Sequence, residues 1–372
     1  MILSQDTHIA PQVLWVLPST GDSDYLGTPV AARPPDRNLV WQVVQALEAH
    51  AFDGVLITTG HVNNHFGVDA PYLECLTTAA LVAAISTRLK LLVAVRPGLV
   101  HPAMAARALA TLDVLSEGRV MLNLVSGGAP LAMYGERLTR EEIYARSSEF
   151  VSLIRELWKG GPADYEGRFY SARGAVCYPR PVQTPHPPVF VAGRSAEAID
   201  LMLREGDVAA IPGCTLASAA GFIDDVKSRL QGASSKLEFA LHLYVIARKT
   251  NEEALAAADR LVSRVDQAAF MQSRRSIFRL PERKADLVDD PAESPEQIAP
   301  GQWNHLKKLS REPTPMLIGS YQEVAGTLLR YRDLGFRWII LQSYPMAAEI
   351  ARFGTEVLPL LRKRTGSGQA RT

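Results

Sequence analysis

The sequence predicts an α/β fold, a (β/α)8 barrel with loop insertions, spanning residues 1–372 as a single domain. Three observations predict it. The stretch Lys90–Pro130 reads as a complete strand–helix–strand unit, which implies a parallel pair joined by a right-handed crossover. Eight short apolar runs of strand length recur along the chain, most of them followed by a segment of helical periodicity. Polar and glycine residues collect just past the C-terminal end of each run, as at Arg96 and at Asn123, Ser126 and Gly127, where α/β folds bind ligands.

Taken in order, Val13–Leu17 is the first strand and ends in the polar turn Pro18 to Asp22. Leu39–Ala49 places Leu39, Val43, Val44 and Leu47 at helical spacing. Phe52–Ile57 is the second strand, followed by the irregular polar stretch HVNNHFGVDAPY and an apolar helix over Leu76–Ile85. Lys90–Val95 and Val120–Val125 are strands three and four. Pro102 opens the helix between them, where its missing N–H costs nothing, and Gly118 stops it in the left-handed region. A long amphipathic helix covers Glu142–Lys159. Tyr165–Arg180 is a small excursion, with turns at Gly167 and Gly174 and with Phe169, Tyr170 and Val176 as strand formers. Val189–Ala192, Val208–Ile211 and Glu238–Ala247 are strands five to seven, each with a helix after it. Residues 267–315 break the rhythm, too long for an ordinary connection, and read as a lid-type insertion. Gln322–Leu334 is a helix, Trp338–Leu341 strand eight and Ala348–Leu361 the last helix, with a tail from about residue 363. A doubly wound sheet is the alternative, but the first βα turn lacks a G-x-G-x-x-G fingerprint.

Composition narrows function. Lys plus Arg number 40 against 39 for Asp plus Glu, so no basic excess points to nucleic acid or a membrane surface. Three widely spaced cysteines make neither a disulfide framework nor a metal spacing, which fits a cytoplasmic protein. No apolar run reaches membrane-spanning length and the N-terminus has no signal-peptide pattern. There is no G-x-S-x-G elbow for a hydrolase nucleophile.

The strand ends supply the candidate site. Gly193-Arg194-Ser195 leads straight into a helix, and its backbone N–H groups, hydroxyl and guanidinium suit a phosphate; a plain helix cap reads equally well from the tripeptide alone. His242 and Tyr244 lie two apart in strand seven and point to one side, into the mouth. His61 and His65 are four apart, but Asn63, Asn64 and Gly67 argue against the helix a metal pair would need. They read as loop histidines that bind substrate or handle protons, with no metal expected; His101, before Pro102, reads as structural. This set of hydroxyls, amides, Arg and His suits a phosphorylated cofactor better than direct hydrolysis.

At this point the chain resembles the bacterial-luciferase-like flavin-dependent monooxygenases, and among them the alkanesulfonate monooxygenase branch. The resembling pieces are VLWVLPSTGDSDYLGT (13–28), GVLITTG (54–60), the block 88–128, YARSSEF (144–150), AGRSAEA (192–198) and GFRWIILQSYP (335–345). The resemblance implies reduced FMN (FMNH2) delivered by a separate NAD(P)H-dependent reductase, as in a two-component system. It implies O2 activation as a C4a-(hydro)peroxyflavin that oxygenates a small organic substrate, in a homodimer or homotetramer. It assigns Thr59, Asn123, Ser126, Tyr144, Gly193, Arg194 and Ser195 to the flavin, and matches Tyr344 to an active-site tyrosine.

Departures from the branch concern the substrate side. His242 and Tyr244 stand where that branch carries an arginine and a histidine, and Met346 stands where it has a second histidine. Arg311, in SREPTP, is the nearest match to its lid arginine. Asn63 or Tyr72 falls near the place of a family cysteine. His61, His65, His242, Tyr244, Tyr344 and Arg311 are therefore the candidate substrate-side and catalytic residues. A sulfonate needs fixed positive charge, so a neutral or weakly anionic substrate fits these replacements better. Two other readings share the barrel: a deazaflavin (F420)-dependent oxidoreductase, and a flavin-binding homologue without turnover.

Overall fold

In a computed structural model, the structure describes residues 9–28, 30–63, 65–66, 69–126, 134–230, 237–265, 297–308 and 315–363. Arg311 and Gly127, most of the insertion and the tail beyond Lys363 lie outside the described residues.

Eight parallel strands close into a barrel: Gln12–Val16 (β1), Gly54–Ile57 (β2), Lys90–Val95 (β3), Val120–Leu124 (β4), Val189–Ala192 (β7), Val208–Pro212 (β8), Glu238–Arg248 (β9) and Phe336–Gln342 (β13). β9 pairs with β8 on one side and β13 on the other, and β13 pairs with β1, so no edge is left in the ring. Strands buried on both faces carry near-continuous apolar runs, which is why all eight were legible.

Alternate residues point inward. Leu14, Val16, Leu56, Leu92, Met121, Phe190, Val208, Ala210, Ala240, Trp338 and Ile340 fill the interior as one cluster. Their neighbours along each strand, such as Val13, Trp15, Val55, Leu91 and Leu122, pack outward against the helices. At the N-terminal end of the barrel the inward residues turn polar. Lys90 Nζ reaches Gln12 Oε1 and lies 5.0 Å from the Trp338 ring centroid, and Trp338 Nε1 donates to Glu238 Oε2 at 2.6 Å.

The outer helices are Arg37–Ala49 (α1), Cys75–Ile85 (α2), Pro102–Leu115 (α3), Arg140–Lys159 (α4), Ala196–Glu205 (α5), Leu216–Arg229 (α6), Asn251–Leu261 (α7), Tyr321–Leu334 (α8), Met346–Glu356 (α9) and Leu358–Arg362 (α10). His101 caps α3, its Nδ1 accepting from Ala103 N at 3.2 Å, the structural role its place before Pro102 suggests. No described helix is long and apolar enough to cross a membrane.

Two segments differ from expectation. The excursion after α4 is a hairpin of Ala163–Glu166 (β5) and Ser171–Ala175 (β6), and Phe169 and Tyr170 lie in its turn rather than in a strand. The Glu149 carboxylate accepts from the N–H groups of Arg168, Phe169 and Tyr170, satisfying them without a ladder. Within the stretch read as an insertion and just beyond it, Gln297–Ala299 (β10), Gln302–Trp303 (β11) and Met316–Ser320 (β12) extend the sheet outside the ring. β12 pairs in parallel with the second half of β9, Met316 opposite Tyr244. β9 is long enough to serve both the barrel and this annex.

Candidate active site

The loop after β1 is the scaffold of the barrel mouth. Gly21 adopts φ +97°, and a Cβ there would stand 2.8 Å from Ala31 Cβ and 2.9 Å from Arg33 O, so the loop folds back only through glycine. Asp22 then ties three pieces together. Its carboxylate takes Arg33 Nε at 3.0 Å and the Met346 N–H at 3.0 Å, the latter at the start of α9, where Pro345 offers no side-chain cap. Burial raises the Asp22 pKa, and those hydrogen bonds and Arg33 oppose the rise.

The loop after β2 is shaped by Asn63. Its Nδ2 donates to Thr20 O at 2.8 Å and Pro71 O at 3.0 Å, and its Oδ1 accepts from His65 N and Phe66 N. Asn63 is thus a buried organiser of the loop. Tyr72 turns back onto the end of β2. Its hydroxyl donates to Thr58 Oγ1 at 2.9 Å, and its ring lies so close to Gly60 that a Cβ there would overlap it at 2.2 Å.

This loop delivers His65 to strand seven of the ring. His65 Nε2 is 3.0 Å from the Tyr244 hydroxyl, and its ring centroid lies 6.0 Å from that of Tyr344. The His242 ring is 5.8 Å from Tyr244, and Phe66 packs edge-on against Tyr344 at 6.1 Å. His65, His242, Tyr244 and Tyr344 are therefore one cluster. His65, His242 and Tyr244 keep part of their surface open, whereas Tyr344 is 3% exposed. The Tyr344 hydroxyl instead receives Gln342 Nε2 at 2.8 Å and pairs with Thr20. Burial holds the His242 pKa down at about 4 and raises those of Tyr244 and Tyr344, so all three are neutral near pH 7.

His61 lies apart from this cluster. It is exposed, with its ring 4.8 Å from that of Tyr134, and its pKa is lowered by desolvation and by the Arg96 charge. Arg96, past β3, is 5% exposed, with Tyr72 supporting its charge against desolvation.

Opposite, Gly193-Arg194-Ser195 joins the end of β7 to the start of α5. Gly193 adopts φ +147°, and a Cβ there would sit 2.6 Å from Ala198 Cβ and 3.7 Å from Tyr144 Oη. The bare backbone at Gly193 is thus bracketed by α5 and by Tyr144 on α4. Ser195 caps α5, its Oγ accepting from Ala198 N at 3.3 Å. Arg194 swings across to α6, donating to Ser218 Oγ at 2.5 Å. Glu197 bonds to Ser195 and pairs with Arg140 at 3.5 Å. Between this turn and the cluster, Asn123 and Ser126 are buried at the end of β4, and Ser126 Oγ has no partner among the described residues. Thr59 meets the Cys75 thiol, whose pKa burial and Glu74 push up to about 12, so it stays an inert thiol. The residue types here, a helix N-terminus with a hydroxyl and an arginine in sequence, are those that can take a flavin phosphate, although Arg194 is turned to Ser218 and Ser195 acts as the helix cap.

Gln342 is the residue that the sequence reading missed. The signal was present, since Gln342 and Tyr344 lie two apart at a strand end as His242 and Tyr244 do.

Known proteins share this plan. The chain superposes on riboflavin lyase with modified FMN and its substrate riboflavin at a TM-score of 0.75 and 18% identity, covering 97% of this chain and 93% of that one. It superposes on a long-chain alkane monooxygenase at 0.74 and 18% identity, covering 96% and 92%. An F420-dependent secondary alcohol dehydrogenase in complex with an F420–acetone adduct superposes at 0.68 and 15% identity, covering 95% and 100%. At these identities the likeness establishes the fold. Residues 12–337 match the luciferase-like monooxygenase family, and the chain belongs to it.

Proposed function

We propose that the protein is an FMNH2-dependent two-component monooxygenase, acting with a separate NAD(P)H:FMN reductase on a small organic substrate in the cytoplasm. The observation that supports it is that Gly193 and the start of α5 lie past the C-terminal end of β7, at the same barrel end as the His65, His242, Tyr244 and Tyr344 cluster. In this reading Gly193, Arg194, Ser195 and Tyr144 hold the flavin phosphate, and Thr59, Asn123 and Ser126 bound the ring system. The bound flavin supplies O2 activation, and the protein orients it and keeps water out. In the same reading His65, His242, Tyr244 and Tyr344 contact the substrate, while His61, which lies apart from them, and Arg311, outside the described residues, are assigned to it by the family resemblance alone.

The cluster's neutral imidazole and phenols favour a substrate recognised by hydrogen bonds, with Arg96 as the nearby buried cation. An organosulfur compound is the substrate class the resemblance suggests, with an alkanesulfonate as its anionic member and a neutral or weakly anionic one matched better by the cluster. The second reading is a deazaflavin-dependent oxidoreductase, favoured by the F420-dependent dehydrogenase of the same fold.

Anaerobic titration with FMNH2 followed by O2 separates them. The expected result is tight FMNH2 binding and then a long-lived absorbance band distinct from oxidised and reduced flavin. Preferential binding of a deazaflavin with no O2-dependent change overturns the proposal in favour of the second reading. Binding without either reaction leaves a flavin-binding homologue.

A further inference from the structure

The inward face of the barrel can be followed along two strands up to the mouth. Leu92 on β3 and Ala240 on β9 belong to the interior cluster. Leu91, Val93 and Val95 on β3, and Leu241 and Leu243 on β9, pack outward. Two-residue alternation then carries Ala94 and Arg96 inward from β3, and His242 and Tyr244 inward from β9. Arg96 directly follows the last residue of β3, and the ladder continues there, Val125 N donating to Val95 O at 3.0 Å.

The ring runs β9, β13, β1, β2, β3, β4, β7, β8 and back to β9, so β3 and β9 are four steps apart in either direction. Arg96 and Tyr244 therefore stand on opposite walls of the mouth. On β7 and β8, which help to complete the wall between them, the last inward side chains beside the interior cluster are Ala192 and Ala210. Alanines at those places leave space between the two walls rather than fill it.

The two walls differ in charge. The β9 wall is neutral: His65 Nε2 lies 3.0 Å from the Tyr244 hydroxyl, and the His242 ring packs below. The β3 wall carries a guanidinium that is 5% exposed. A guanidinium keeps its proton when desolvated, and its planar fork matches the two oxygens of an oxyanion. The carboxylates of the neighbouring loops are committed elsewhere. Asp22 holds Arg33 and the Met346 N–H, and Glu74 accepts from the Leu76 and Thr77 N–H groups that open α2.

We propose that Arg96 is a substrate-binding residue that takes the oxyanion of a small organic acid, whose uncharged body lies across the mouth against His65 and Tyr244. The proposal narrows the substrate within the flavin-monooxygenase reading and rests on that reading for the reaction. The charge preference is a property of the mouth alone and is measured without flavin as well as with it.

The test compares pentanoate with pentanamide, which share a shape and differ in charge. Each is titrated into the full-length protein by calorimetry, with FMN present and absent. Pentanoate should bind about tenfold or more tightly than pentanamide. Arg96→Met should erase that preference and leave the pentanamide affinity unchanged. Equal affinities in the unaltered protein, or binding of neither probe, overturn the proposal, as does a preference that survives Arg96→Met. If Arg96→Met does not fold, 15N-arginine NMR of the unaltered protein decides, with Arg96 assigned through Arg96→Lys. Pentanoate should then move the Arg96 Nε–H signal and pentanamide should not; a signal indifferent to pentanoate refutes the role. A failed FMNH2 titration overturns the flavin reading and leaves the charge preference standing, so the two failures are distinct.

Discussion

The two ends of the barrel are built from the same strands, yet they treat polar groups in opposite ways. At the N-terminal end Lys90, Gln12, Glu238 and Trp338 satisfy one another, and Arg337 reaches Glu238 from outside at 3.3 Å. At the C-terminal end Ser19 Oγ, Ser126 Oγ, Ser343 Oγ and His242 Nε2 are buried with no partner among the described residues. Each such group costs stability until something binds it. The closed end is saturated and serves the fold; the open end is left unsaturated where ligand atoms are expected to arrive.

The largest test of that division is at the closed end. Trp338→Ala removes the residue that joins Lys90 to Glu238 and should cost about 3–5 kcal/mol in urea denaturation, while leaving flavin affinity where it was. Loss of flavin binding in the folded variant would show that the two ends are not separable.

At the open end, His242 should make stability depend on pH. Its pKa falls from the ordinary 6.5 to about 4 in the folded protein, so the unfolded chain binds the proton first as pH drops. Its contribution is present above pH 6.5 and is lost as pH falls toward 4, on the order of 1–3 kcal/mol. Urea midpoints measured across that range should slope less in His242→Gln than in the unaltered protein; equal slopes remove the assignment.

Ser195 tests cap against phosphate contact. Ser195→Ala should weaken FMNH2 by about 1–3 kcal/mol by losing a phosphate hydrogen bond. Ser195→Asp keeps a good helix cap but sets a carboxylate against the phosphate, so thermal stability should hold while flavin binding fails. If both variants bind flavin as before, Ser195 is only a cap.

The smallest effect is expected at Ser126. Removing its unpartnered hydroxyl in Ser126→Ala should leave stability unchanged or raise it by about 1 kcal/mol or less, while flavin affinity declines. A clear loss of stability by calorimetry would mean that the hydroxyl already has a structural partner.

The barrel was readable because each ring strand is buried on both faces and so spells itself in a run of apolar residues. β12 escaped because Met316–Ser320 follows a charged, proline-bearing stretch and pairs with a part of β9 whose length gave no hint of a second use. Phe169 and Tyr170 misled because strand propensity was overruled by one distant carboxylate, Glu149. The strand-to-helix turn at Gly193 was legible because a glycine between an apolar run and a helical segment marks a tight turn. The depth of Tyr344 was not, since it depends on Thr20, and the anchoring of Met346 depends on Asp22, 324 residues away. Met346 reads in sequence as a lost histidine; in the fold its side chain is fully buried and its backbone N–H is what matters at the mouth.

The length of β9 carries one more consequence. Tyr244 is the residue at which this strand changes partners, facing Gln342 in the ring and Met316 in the annex. The chain leaves the end of α7, anchored where Leu26 N meets Leu261 O, and from Gln297 onward runs through β10 and β11 to Met316 beside that same tyrosine. Barrel closure is completed by the lower half of β9 alone. Segments of differing length can therefore be exchanged between residues 265 and 297 as a cassette, inherited or engineered, without reopening the ring. Each exchange would be felt first at Tyr244, which makes the strand fork a natural splice point for changing substrate while retaining the scaffold.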